Sequence, residues 1–207
     1  MTVEMMTSPR LTYHPFSPDD AEELLALFRD PGIRRYLLDD RLVTEEWVRE
    51  EIATSSERFA TTGAGLWTLR LRADRPGPDD ARRDSPGEPV SSFTNGSDSR
   101  PIIGFVGFRE FFDPPRLQLL YGLLPEHWGR GLATEAAQRI CDHAFVDLGF
   151  RLVEAATDAP NRASSGVLRR LGMRRVRVDG GETSGTLFYV LDRDSWAVER
   201  TRKGGAA

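Results

Sequence analysis

The chain has 207 residues, 39% of them hydrophobic, which suffices for one core and predicts a single domain over residues 1–207. A net charge of −4 argues against a nucleic-acid partner, and no apolar run approaches the ~20 residues that span a bilayer. The first ten residues lack the pattern of a secretory leader and the one cysteine has no partner for a disulfide, so the expected setting is cytoplasmic, with no membrane partner.

Residues 11–16 read as a strand, and Ser17-Pro18-Asp19-Asp20 as a helix start, with a capping hydroxyl, a proline at the first position and acids at the positive end of the dipole. Leu24, Leu25, Leu27 and Phe28 give that helix an apolar face, and Asp30-Pro31-Gly32 is expected to end it. Thr44 caps a second helix, along which Val48, Ile52 and Phe59 keep helical spacing. Residues 65–71 form a strand. Composition then shifts abruptly: residues 73–100 are rich in Pro, Gly, Ser and Asp, too poor in apolar surface to offset their ordering entropy, and predict a flexible insertion between strands.

Strands resume at residues 102–108 and 117–124. A long helix follows from about Gly131 to Leu148, with Leu132, Ala136, Ile140 and Ala144 on one stripe and Gly149 closing it. Residues 152–156 are a short strand, residues 161–171 a helix, and residues 173–178 and 187–192 late strands. The order predicts an α/β fold, a mixed sheet flanked by helices. Arg169, Arg170, Arg174, Arg175 and Arg177 are the one basic cluster, expected as a solvated helix edge and strand face.

The segment Trp128-Gly129-Arg130-Gly131-Leu132-Ala133-Thr134-Glu135-Ala136 joins a strand to the long helix. A helix start leaves amides unpaired and carries about half a positive charge. Two glycines remove Cβ atoms where backbone must approach an anion, and Arg130 adds a full charge. The features predict a diphosphate cradle. Thr134 stands where a dinucleotide fingerprint needs its third glycine, and no Gly-Lys-Ser/Thr occurs, so neither a dinucleotide fold nor a P-loop fits.

These residues resemble the acetyl-CoA motif of the GNAT superfamily of N-acetyltransferases, in the branch of the ribosomal-protein alanine N-acetyltransferases. Asn161-Arg162-Ala163-Ser164-Ser165 through Leu171-Gly172-Met173 is similar to that branch's second block. The resemblance implies a mostly antiparallel central sheet splayed in its middle. It implies acetyl-CoA as co-substrate, no metal, and an amine acceptor, either a protein N-terminus or a small molecule, acetylated by direct attack. Backbone near Leu123 would bind pantetheine and the oxyanion; the amides of Trp128, Gly129, Arg130, Gly131, Leu132 and Ala133 would hold the diphosphate; Asn161 would bond the pantetheine arm.

Departures from the family are specific. Glu126 replaces the usual glutamine or arginine, and Leu168 stands where relatives carry a thiolate-protonating tyrosine, leaving Ser164, near the thioester sulfur, as substitute acid. Gln118 occupies the place of a central-strand glutamate and cannot titrate, so Glu110, Asp113 and His127 are candidate bases. Glu135 reads as a charge of the helix's first turns, and Cys141, Trp47, Phe59 and Trp67 as core. His14 and His143 lack metal-ligand spacing. The missing acid and base leave one alternative: an acyl-CoA-binding sensor or interaction module without turnover.

Overall fold

The computed structural model describes residues 4–72, 100–112 and 116–204; of the expected insertion only Arg100 falls within that range, and Asp113 lies outside it. In chain order the elements are β1 (Met6–Thr7), β2 (Leu11–Pro15), α1 (Ala21–Arg29), α2 (Pro31–Leu37), α3 (Glu45–Thr62), β3 (Leu66–Leu71), β4 (Gly104–Phe111), β5 (Arg116–Leu123), α4 (Leu132–Asp142), β6 (Leu152–Asp158), α5 (Arg162–Arg170), β7 (Arg174–Asp179), β8 (Thr186–Asp192) and α6 (Arg193–Gly204). One sheet of eight strands runs in the order β1-β2-β3-β4-β5-β6-β8-β7, antiparallel at every pair except β5–β6.

Strand alternation divides the apolar side chains between two cores. Trp67, Leu69 and Val106 face α4, where they meet Ala136, Ile140 and Cys141. Leu66 and Phe105 face the other way, onto Leu24 and Phe28 of α1 and Ile52 of α3. Phe59 packs edge-on against Trp67 at 4.9 Å and Trp47 against Phe28 at 5.1 Å, so all three expected core aromatics are packing groups.

Helix starts follow local chemistry. The Ser17 side chain accepts from the Asp19 amide, and Thr44 from that of Trp47. Asp30 does more than end α1: its Oδ1 accepts the Gly32 N–H at 2.8 Å and starts α2, with Pro31 at the first helical position. Pro31 read as a stop because proline breaks a helix interior; at the first turn its missing N–H costs nothing. The long helix is α to Asp142 and continues as one π-type turn, His143–Asp147, before Gly149 closes it. Helix α6 was also unexpected; it is held by Trp196, buried near Phe145, while Asp192 caps its start through Ser195.

The sheet opens at its one parallel junction. Strands β5 and β6 share a single register pair, Gln118 with Glu154, whereas β4–β5 stay paired to Leu123 and β6–β8 to Asp158. Each strand thus follows its own antiparallel neighbour, and the two half-sheets diverge. Gly104 keeps β4 tight against the open edge: a Cβ there would collide with the Gly122 carbonyl oxygen and with Leu123. Gly104→Ala is expected to cost about 1–3 kcal/mol of stability through overpacking. Denaturant unfolding measures it, and an unchanged midpoint would contradict the tight packing.

Candidate functional site

The gap between β5 and β6 is the centre of the site. The Leu124 amide bonds to the Ile103 carbonyl at 2.9 Å, so by antiparallel alternation the backbone groups of Leu123 turn away from β4 into the gap. A cavity of about 110 Å³ lies there, bounded by Tyr36 and Leu37 of α2, Leu119 and Tyr121 of β5, Ala156 of β6 and Leu168 of α5. A groove of about 1510 Å³ shares Tyr121, Asn161 and Ser164 with it and passes along Trp128 and Gly131.

The start of α4 forms one rim of that groove. A 3-10 turn, Pro125–His127, ends with the Trp128 amide donating to the Pro125 carbonyl, so this amide is engaged. The amides of Gly129, Arg130, Gly131, Leu132 and Ala133 have no partner among the described residues. Gly129 and Gly131 take φ values of +72° and +76°, which a side chain rarely adopts. A Cβ on Gly129 would meet nothing within 4 Å, so the space above the amides is open.

Trp128, half exposed, reaches back across this rim: its Nε1–H donates to the Leu123 carbonyl at 2.6 Å. From behind, Arg10 braces the loop. Its guanidinium donates to the Arg130 carbonyl at 2.8 Å and to Glu135 Oε2 at 2.7 Å. Glu135 Oε1 also accepts the Arg10 amide and the Ser8 hydroxyl, so this carboxylate ties α4 to the β1–β2 turn as well as serving the helix dipole. The basic cluster divides between faces: Arg170 bonds the Thr134 hydroxyl, Arg175 pairs with Glu182, and Arg177 lies over the Phe188 ring.

The second block caps α5. Asn161 Oδ1 accepts the Ser164 amide at 3.1 Å, which leaves the Asn161 NH₂ as a donor. The Ser164 hydroxyl lies 2.7 Å from the Tyr121 hydroxyl, which also donates to the Ser164 carbonyl at 3.1 Å. Burial pushes the Tyr121 phenol well above its ordinary pKa, so it stays protonated. The sequence offered a signal for Tyr121: alternation puts its hydroxyl on an apolar face, where it needs a partner.

The expected bases separate. Glu110 pairs with Arg58 at 2.9 Å. His127 is lowered by partial burial and by Arg130, whose Nη1 is 3.4 Å from its Nδ1, which keeps the ring neutral. Gln118 is 3% exposed at the apex of the gap. Asp158, overlooked in the sequence, ends β6; burial and then the neighbouring Asp39 carboxylate raise its pKa. Cys141 is fully buried, and burial pushes its thiol far up, which makes it inert. His143 pairs with Asp147, and among the described residues no three His, Cys, Asp or Glu side chains converge as metal ligands would.

The acetyltransferase (GNAT) domain family matches residues 10–174. The curated relative YoaA of Bacillus subtilis, named as an uncharacterized N-acetyltransferase, is 22% identical over 175 residues, 84% of this chain and 85% of its own. Two solved structures share the fold: an acetyltransferase from Agrobacterium tumefaciens, with TM-score 0.67, 18% identity and coverage of 92% and 95% of the two chains, and RimL, a ribosomal alpha-N-protein acetyltransferase in complex with coenzyme A, with TM-score 0.67, 13% identity and coverage of 93% and 99%. The chain belongs to the GNAT family, whose members use acetyl-CoA, and is an N-acetyltransferase. No helix among the described residues is long and apolar enough to cross a membrane.

Placing a carboxylate over the partnerless amides gives a test. Gly129→Glu, whose side chain enters open space, is expected to abolish acetyl-CoA binding by calorimetry, while Gly129→Gln, which carries the same left-handed strain of about 1–2 kcal/mol without the charge, keeps most of it. Equal affinities for the two variants would exclude an anion at this rim.

Proposed function

We propose that the chain transfers the acetyl group of acetyl-CoA to a cationic amine by direct attack of the neutralised nitrogen on the thioester carbonyl. The observation that carries this reading is a single gap with five partnerless amides at one end and a hydroxyl pair at the other. The amides from Gly129 to Ala133 hold the diphosphate, where the helix dipole and open space favour an anion. Pantetheine lies along the free edge of β5 as an added strand, takes the Leu123 carbonyl in place of the Trp128 indole, and accepts from the Asn161 NH₂. The Leu123 N–H stabilises the oxyanion, and the Ser164 hydroxyl faces the sulfur.

A cavity of about 110 Å³ suits a short acyl group. The inertness of buried Cys141 supports direct attack over an acyl-cysteine. Asp158 follows Thr157 of the cavity wall and Asp39 precedes Asp40 of the groove, so this pair attracts an ammonium there, and the raised pKa of Asp158 fits it to take the proton before attack. A protein N-terminus and a small cationic amine both meet that description; the likeness to RimL supports the first.

Thiol release from acetyl-CoA across alanine- and serine-starting peptides, a polyamine and an aminoglycoside tests the reading. Turnover is expected with at least one class, and binding of acetyl-CoA without turnover on any would refute it. With the accepted amine, the carboxylate form of Asp158 is lost as pH falls through its raised pKa. The acid limb of kcat/KM is therefore expected above the ordinary carboxylate range of about 4. Asp158→Asn should lower kcat/KM by about 10²-fold and remove that limb; an unchanged limb would assign it elsewhere.

A further inference from the structure

The hydroxyl pair at the floor of the gap carries more than the placement of Ser164. Tyr121 stands on β5 and Ser164 on α5, so their 2.7 Å contact spans the opening between the half-sheets. Both residues line the cavity and the groove. Tyr121 is otherwise set among apolar neighbours: Leu119 and Leu123 flank it on the same strand face, and buried Leu168 lies on the adjoining helix. A tyrosine here could have been a phenylalanine as far as packing is concerned. Its hydroxyl is directed at one residue, through both the carbonyl and the side chain of Ser164.

A serine hydroxyl has one proton to donate and two lone pairs to accept with, and by itself it is a weak acid. We propose that Tyr121 is a positioning residue that makes Ser164 a proton shuttle to the departing sulfur. When the phenol donates to Oγ, the serine's own proton is released from the pair and turns to the thioester sulfur. The second lone pair of Oγ faces the amine nitrogen.

As the C–S bond breaks, its electron pair stays on sulfur, the Oγ proton moves to that sulfur, and a proton from the attacking nitrogen replaces it on Oγ. Amide and free thiol leave, and the serine is restored. The phenol remains protonated throughout, because charging it at this buried position is costly. Arg170, Tyr189 and Cys141 are the titratable groups about it. The shuttle rests on the cofactor placement proposed above, so binding of CoA is measured first.

The test needs no acceptor. CoA itself is bound to the wild-type enzyme and to Tyr121→Phe, and the thiolate absorbance is followed against pH. The donor pair stabilises the thiolate, so the bound thiol is expected to titrate about one unit lower in the wild type than in Tyr121→Phe, a tenfold difference in acidity. Ser164→Ala should match Tyr121→Phe, and Ser164→Thr, which keeps a hydroxyl, should recover the wild-type value. CoA affinity and melting temperature are expected to hold within about twofold and a few degrees respectively, which separates positioning from support of the fold.

With the accepted amine, Tyr121→Phe should lower kcat about tenfold with KM for acetyl-CoA little changed, and should add nothing to Ser164→Ala. Equal thiol titration in wild type and Tyr121→Phe would overturn the proposal. So would a kcat loss that recurs in the Ser164→Ala background. Failure of CoA to bind the wild type would instead refute the cofactor placement, and the shuttle with it.

Discussion

The site depends on a sheet that stops pairing halfway along one junction. Beyond Gln118 and Glu154, β5 and β6 have no further register pairs, and each is held by an antiparallel neighbour on its outer side. A backbone edge with unmet donors and acceptors inside a protein is costly unless something completes it. Here the Leu123 carbonyl is completed by the Trp128 indole, and across the gap the Tyr121 hydroxyl meets that of Ser164. One side-chain contact thus covers the open edge and one spans the opening in place of a ladder, and side chains can move where a ladder cannot.

The same economy shapes the rim at α4. Gly131 gives the helix no side-chain cap, and its left-handed backbone aims the first-turn amides outward. What keeps that loop from collapsing onto its own donors is a brace on its hidden side, where Arg10 and Glu135 fix the Arg130 carbonyl. Positive charge and free N–H groups face the groove, and the compensating carboxylate faces the sheet.

Much of this was legible in the sequence because it follows from local rules. The glycine-flanked start of α4, the Thr44 cap and the alternating strands declare themselves at spacings of one to four residues. Two helices did not. Helix α2 hid behind Pro31, whose role reverses according to whether the helix ends before it or begins with it, and only the Asp30 cap resolves that choice. Helix α6 contributes one buried tryptophan and a polar remainder, too little for a periodic signal. Strand alternation shows that the Tyr121 hydroxyl needs a partner, but that partner, Ser164, is more than 40 residues away, and Asp39, which acts on Asp158, is more than 100 away; no local pattern names either. Leu168 is a wall of the cavity.

The most direct measurement is a crystal structure with coenzyme A. The account predicts the diphosphate on the amides between Gly129 and Ala133, the Trp128 indole displaced from the Leu123 carbonyl, and the sulfur beside Ser164. A cofactor lying outside the β5–β6 gap, with Trp128 still bonded to Leu123, would contradict it.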